Sequence, residues 1–130
     1  MPKIIAIKIK EDDVARRFES PDGMIVLVGK SAADNDVLTF KVAAQMDFWM
    51  HVAGESGSHV VVRNPENLDT LPRATLRYAA SLAARYSKAK NAKKVTVHVA
   101  RRKDVQKLRG MAAGKVVLKR YKSVKVEPHE

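Results

Sequence analysis

The chain has 130 residues, of which 45% are hydrophobic and 30% are charged, and it contains no cysteine. This length predicts a single domain over residues 1–130, and the missing cysteines exclude disulfides, thiolate zinc sites and a cysteine nucleophile. Lys and Arg number 25 against 14 Asp and Glu, a net charge of +11. So basic a protein favours a polyanionic partner, because neutralised phosphates release counterions; nucleic acid is the leading class, and an acidic membrane surface or an acidic protein stays open.

The amino-terminal segment predicts a strand and then a hairpin. Residues 3–10 alternate apolar and charged side chains, the period of a strand, and lack the unbroken apolar core of a signal peptide. Pro21-Asp22-Gly23 forms a turn signal that predicts a hairpin of residues 17–19 with residues 24–28. No stretch approaches the roughly 18 apolar residues of a membrane span, so we expect a cytoplasmic protein. Of the partners that the charge leaves open, we expect nucleic acid and no membrane.

A short helix and a second strand pair follow. Asp34-Asn35-Asp36 offers N-caps for a helix over residues 36–45, although residues 37–42 are also compatible with a strand. Residues 47–52 and 58–63 are β-prone, and the segment that separates them contains two glycines.

The carboxyl-terminal half predicts one long helix among short strands. A helix over residues 71–90 has one apolar face, an early Pro72 and a cap at Asp69 or Thr70. The remaining predicted elements are a strand at 95–99, a short helical turn at 103–108, and strands at 116–118 and 123–126. The fold class predicted is therefore α+β, with an antiparallel or mixed sheet of about six to seven strands packed against one long helix, plus one short helix.

The segment Asp47-Phe48-Trp49-Met50-His51-Val52 carries the functional signal. Strand periodicity places Asp47, Trp49 and His51 on one face, and the three intervening apolar residues on a core face. An exposed tryptophan beside titratable groups is uncommon unless it stacks on a ligand. Trp49 pointing inward, and Asp47 capping the turn before the strand, are the structural alternatives.

The next strand extends this row if the two strands pair as a hairpin. His59 then lies opposite His51, and Arg63 lies opposite Asp47, which can orient its guanidinium. Bases of single-stranded RNA stack on Trp, His and Arg planes, and the backbone amides of Gly57 and Ser58 are candidates to receive a phosphate oxygen. The alternative for both histidines is a structural role within the sheet.

Basic residues beyond this patch supply further phosphate contacts. Those predicted to bind RNA are Lys88, Lys90, Arg101 and Arg102. The alternative for each of them is a solvated charged face.

Three other functions use the same residues or nearby edges. Asp47, His51 and His59 are the set that an RNA-processing or RNA-modifying enzyme would use for acid–base chemistry, and the set that would hold zinc. No helix motif or thiolate supports a metal, so we predict no metal site and no cofactor. We also expect no small-molecule substrate, and we predict a non-catalytic protein. The third alternative docks a protein on the edge of residues 24–28 or 116–118.

A family resemblance rests on these residues. The quoted motifs are Val28-Gly29-Lys30, Asn35-Asp36-x-Leu38-Thr39, Asp47-x-Trp49-x-His51, Gly57-Ser58-His59-Val60, Ala79-Ala80-x-Leu82-Ala83-Ala84-x-Tyr86-Ser87, Val95-x-Val97, Lys103-x-Val105 and Gly114-x-Val116. In this order and spacing they resemble the NFACT-R domain, the RNA-binding module of ribosome quality-control factors, over about residues 18–126.

The resemblance implies an RNA-binding α+β domain that acts on tRNA or ribosomal RNA, with the ribosome as a further candidate partner. Matching positions give Asp47, Trp49, His51, Ser58 and His59 as the implied contacts. Large family members add an NFACT domain, helix-hairpin-helix segments and a coiled coil, and they direct carboxyl-terminal tailing of stalled chains. This sequence shows none of those parts, so we expect a free-standing member without tailing activity.

Overall fold

The computed structural model describes residues 10–130, so the strand predicted at residues 3–10 lies outside the described part apart from its last residue. The helices are α1 (Glu11–Val14), α2 (Ala32–Val37), a π-helix (Leu38–Val42), α3 (Arg73–Arg85) and a 3-10 helix (Arg102–Asp104). The strands are β1 (Ala15–Glu19), β2 (Ile25–Gly29), β3 (Phe48–Val52), β4 (Val60–Val62), β5 (Val95–Arg101), β6 (Val105–Gln106), β7 (Val117–Leu118) and β8 (Lys122–Val126).

Six strands form one sheet in the order β1-β2-β4-β3-β5-β8, and β6 pairs with β7 in a separate two-stranded sheet. Every pairing within the described residues is antiparallel. The α+β class and the hairpin around Pro21-Asp22-Gly23 are therefore confirmed, and over residues 10–130 the sheet is antiparallel, not mixed. Strand β2 lies between β1 and β4, so residues 24–28 are not a free edge for a docked protein.

Helix α3 covers one face of the sheet. Four of its five alanines, at positions 79, 80, 83 and 84, are fully buried, and their small side chains let the helix approach the strands closely. The predicted helix over residues 71–90 was too long, since α3 has 13 residues. It ends because Ser87 turns away to form a β-bridge with Gly57. The N-cap is Pro72, rather than Asp69 or Thr70.

Helix α2 and the π-helix cover part of the opposite face. The predicted helix over residues 36–45 begins earlier and ends earlier, because Ser31 is the N-cap and its hydroxyl accepts a hydrogen bond from the Asp34 amide. The π-turn closes with the Ala43 amide donating to the Leu38 carbonyl. Leu38 is fully buried and packs on this second face, which completes a second apolar core.

The rest of the second face is not covered by these helices. Cross-strand partners His98 and Ser123, and the neighbouring pair Thr96 and Lys125, lie on this outer part of β5 and β8. A long loop connects β6 to β7 beside this uncovered part of the face. The helical turn predicted at residues 103–108 is instead the 3-10 helix followed by β6. Among residues 10–130, no helix has the length and apolar character needed to cross a bilayer.

Candidate RNA-binding groove

The predicted pairing of β3 with β4 is correct. Phe48 lies opposite Val62 and Met50 opposite Val60. The same register carried one residue further brings the rings of His51 and His59 to a centroid distance of 5.6 Å.

The predicted exposure of this row is wrong. Trp49 and His59 are each 1% exposed, and Asp47 is 2% exposed. Alternation along the strands does separate two faces, but the face of Trp49 packs beneath the π-helix with Leu38 and Val61. Because both faces of the sheet are covered at this point, the indole belongs to a core and cannot serve as an open stacking platform.

A chain of hydrogen bonds holds Trp49 and His59 in place. The indole Nε1 donates to the Thr39 hydroxyl oxygen at 3.1 Å, and that oxygen lies 2.8 Å from Nδ1 of His59. Nε2 of His59 lies 3.0 Å from the Gly114 carbonyl, which can only accept. The network therefore assigns the proton to Nε2, with the Thr39 hydroxyl donating to Nδ1 of a neutral ring. Burial lowers the pKa of His59 to about 4, which agrees with this neutral form.

Asp47 and Arg63 form a structural pair at the far end of the hairpin. Nε of Arg63 lies 3.0 Å from Oδ2 of Asp47, and its Nη1 lies 3.1 Å from Glu11, so the predicted orientation of Arg63 by Asp47 is confirmed. The Asp47 carboxylate also accepts hydrogen bonds from the amides of Ala44 and Asn64. Asp47 therefore caps the turn before β3.

This pair is remote from the histidines. At about 3.3 Å per residue, Asp47 lies roughly 13 Å along the strand from His51. The predicted patch of Trp49, His51, His59 and Arg63 is thus divided, and the proposed zinc or acid–base set of Asp47 with the two histidines is not assembled. Within residues 10–130 no three acidic or histidine side chains converge as a metal site would require.

Gly57 and Ser58 serve packing. A Cβ on Gly57 would lie 2.7 Å from the Cβ of Ser87, so only glycine permits the bridge between these two segments. The Ser58 amide donates to the Tyr86 carbonyl at 3.0 Å, and its hydroxyl donates to the Gly29 carbonyl at 2.7 Å. The prediction that the Ser58 amide receives a phosphate is therefore wrong.

A groove of about 700 Å³ opens where the second face is uncovered. Its floor includes His51 and His98, which are cross-strand partners on β3 and β5 and are both half-buried. The buried Trp49 lies beneath, with its ring 5.9 Å from the His51 ring at an interplanar angle of 19°. Burial lowers the pKa of His51, and the positive charge of Lys115 lowers it further.

Tyr121 forms one side of the groove. Its ring lies 4.4 Å from the His98 ring, tilted by 44°, and the side chain is 50% exposed. An aromatic ring this exposed, next to a second ring, offers a face on which a planar ligand can stack.

Two exposed lysines stand on the rim. Lys88 follows α3, where its amide donates to the Ser56 carbonyl, and Lys115 belongs to the loop between β6 and β7. Glu55 is the acidic residue at the same rim. Two cations against one carboxylate leave the entrance positively charged.

The loop that carries Lys115 is anchored from three sides. His59 holds the Gly114 carbonyl, and the Gly114 amide donates to Oδ1 of Asp36 at 3.1 Å. Nζ of Lys107 lies 3.1 Å from Asp36 and donates to the carbonyl of Lys115 at 2.8 Å. These bonds fix this wall of the groove relative to the sheet.

The other predicted basic contacts have different places. Arg101 stacks on Phe48 at 4.0 Å and donates to the carbonyls of Met46, Leu68 and Asp69, so it ties the sheet to a loop. Arg102 lies 4.6 Å over the Phe40 ring. Lys90 is exposed but does not line the groove. Of the predicted basic residues, Lys88 alone does so.

His98, Lys115 and Tyr121 were not among the predicted contacts. His98 had a signal, since it alternates with Val97 and Val99 along a predicted strand and so had to leave the apolar face. Lys115 lies between the motif residues Gly114 and Val116, but nothing in the sequence showed that this loop, or the segment before β8 that holds Tyr121, reaches the groove.

Comparison with known proteins shows where the chain belongs. The family model described as "NFACT protein RNA binding domain" matches residues 15–120. The Rqc2 homolog RqcH of Bacillus subtilis is 37% identical over 115 residues, which are 88% of this chain and 20% of that protein. The ribosome quality control complex subunit NEMF homolog of Drosophila melanogaster is 32% identical over 79 residues, 61% of this chain and 8% of that protein.

A solved structure has the same fold. The C-terminal part of the fibronectin/fibrinogen-binding protein from Streptococcus suis superposes with a TM-score of 0.82 and 36% identity, over 98% of this chain and 49% of that one. The chain thus spans about a fifth of the length of the RqcH proteins that it matches.

Proposed function

Because this chain belongs to the NFACT protein RNA binding domain family, we propose that it binds RNA and that the groove beside β5 is the central contact. The observation that carries the proposal is the joining of three ring side chains, His51, His98 and Tyr121, with the rim cations Lys88 and Lys115. Rings stack on bases and lysines neutralise phosphates, which are the two interactions that single-stranded RNA offers.

Under this proposal, some of the residues predicted from the sequence contact RNA, and the others hold the groove in place. His51 and Lys88 face the groove and are proposed contacts. Trp49 and His59 lie under its floor and act through His51 and through the loop of Lys115. Asp47, Arg63, Gly57, Ser58, Arg101 and Arg102 hold the framework. Lys90 is proposed as an outlying phosphate contact.

We further propose that the RNA is transfer or ribosomal RNA, bound in the cytoplasm as part of ribosome quality control, and that the domain is non-catalytic. The support is the naming of the relatives, RqcH as an Rqc2 homolog and NEMF as a ribosome quality control complex subunit. Cross-linking in cells, followed by sequencing of the attached RNA, tests the identity of the RNA. Recovery of messenger RNA fragments in place of transfer or ribosomal RNA would contradict it.

Fluorescence anisotropy with labelled transfer RNA tests binding at the groove. The double variant Lys88→Gln/Lys115→Gln should weaken binding and lower the slope of log K against log salt by about 1.4 for two contacts to a single strand. The matched control Lys41→Gln/Lys103→Gln removes the same charge at exposed positions away from the groove. Equal slopes for the two double variants would place the RNA elsewhere.

A further inference from the structure

Resting on the proposed function, we infer that the groove is a pocket for one unpaired RNA base, held against His98 and Tyr121, with the adjoining phosphates at Lys88 and Lys115. Such a pocket takes an unpaired nucleotide as its ligand, and a fully paired helix is a poor ligand for it.

The depth of the groove favours an unpaired base. His51 and His98 are half-buried at the floor, between the turn at residues 54–57 and the loop at residues 113–116. In a paired helix the base faces are covered by their neighbours and the bases lie inside the backbone. Only a base turned out of the stack can reach these two rings.

The arrangement of the aromatic and imidazole rings also favours the binding of a base. Tyr121 covers one side of His98 at 4.4 Å, while Trp49 supports His51 from beneath at 5.9 Å. Each imidazole therefore has one side occupied by protein, and the exposed ring of Tyr121 stands at the edge. The rings are already arranged before a ligand enters, so a base gains stacking contacts without reordering them.

The distribution of charge in the groove matches that of a nucleotide. Both lysines lie at the entrance and are exposed, whereas His51 and His98 lie at the floor. Burial favours the neutral form of His51. A nucleotide divides in the same manner, into an uncharged planar base and a charged phosphate. The base would enter, and the phosphates would stay at the rim.

Contacts within the protein hold the walls of the pocket in place, and this limits the volume of the pocket. Gly57 contacts Ser87 so closely that no side chain fits between them, and Asn35 accepts a hydrogen bond from the His59 amide at 3.0 Å. The loop on the other side is held through the Gly114 carbonyl. With a volume of about 700 Å³, the groove lies in the range of small-molecule sites and is far smaller than a helix needs.

Two RNA hairpins test the inference with the full chain. Both have the same stem, but one carries a single bulged 2-aminopurine, and in the other this base is paired. We expect the bulged RNA to bind at least fivefold more tightly, and we expect its 2-aminopurine fluorescence to change on binding.

The variant Tyr121→Ala should remove this preference, and Tyr121→Phe, which keeps the ring, should retain it. Equal affinity for the two hairpins with unchanged fluorescence would overturn the base pocket while leaving RNA binding intact. Absence of binding to both hairpins and to transfer RNA would overturn the proposed function as well.

Discussion

His59 donates a hydrogen bond from Nε2 to the carbonyl oxygen of Gly114 at 3.0 Å, across 55 positions of the sequence. The bond joins the buried end of the β3–β4 hairpin to the loop that carries Lys115. His59 is therefore a positioning residue, which is buried itself and places a rim cation of the groove.

Stability should fall in mild acid because of this buried ring. His59 has a pKa of about 4 in the folded chain, below its ordinary value of 6.5, so the unfolded chain takes up the proton first as the pH falls. Its contribution is complete above pH 6.5 and is lost progressively toward pH 4. Urea denaturation should show a loss of about 2 kcal/mol between pH 7.5 and pH 5 from this group, and the lowered pKa of His51 acts in the same direction.

The variant His59→Gln keeps an N–H donor for Gly114 and removes the titration. Its stability should vary less with pH than that of the parent protein. An identical pH dependence in both would show that His59 is not the buried group responsible.

Gly29→Ala should destabilise the domain by about 2 kcal/mol or more. A Cβ at this position would lie 1.9 Å from Oδ1 of Asn35, the atom that accepts from the His59 amide. Gly54→Ala is the comparison, since a Cβ there meets open space and the loss of about 1 kcal/mol arises from its φ of +73° alone. Thermal unfolding of both variants measures the difference, and equal midpoints would contradict the role assigned to Asn35.

Trp49→Ala and Tyr121→Ala should separate stability from binding. Trp49 is 1% exposed, so its truncation should cost about 3–5 kcal/mol of unfolding free energy. Tyr121 is 50% exposed, so its truncation should change stability by less than about 0.5 kcal/mol. RNA affinity should nevertheless fall at least fivefold in Tyr121→Ala, as one lost stacking partner predicts. A Tyr121→Ala protein with full affinity would remove the ring from the site.

Glu55→Gln should strengthen RNA binding. Its carboxylate stands at the rim with Lys88 and Lys115, where it repels incoming phosphates. We expect about a twofold gain at low salt, mainly in the association rate, that disappears at high salt. Glu66→Gln, at an exposed position outside the groove, is the control. Stopped-flow association that is unchanged in Glu55→Gln would argue against phosphates at this rim.

The pairing of the two strands was predictable from sequence because it depends on local information. The glycine-containing connection at residues 53–57 and the alternation of side chains predict His51 opposite His59, and the structure has this register, with Phe48 opposite Val62. Family motifs located the same segment.

The burial of Trp49 was not predictable, because strand periodicity separates two faces without saying which face is covered. Leu38, from a helix whose boundaries were misplaced, covers the indole. Long-range packing also decided which cations were available. Arg101 donates to three carbonyls, whereas Lys115, from the loop between β6 and β7, reaches the groove.

The most direct test of the groove is an NMR titration of the chain with a short single-stranded RNA. Binding of RNA in the groove predicts that the ring signals of His51, His98 and Tyr121 and the amide signal of Lys115 shift together and saturate at one equivalent. Shifts that leave these residues unchanged and concentrate at Lys93 and Lys94, beyond the end of α3, would contradict it.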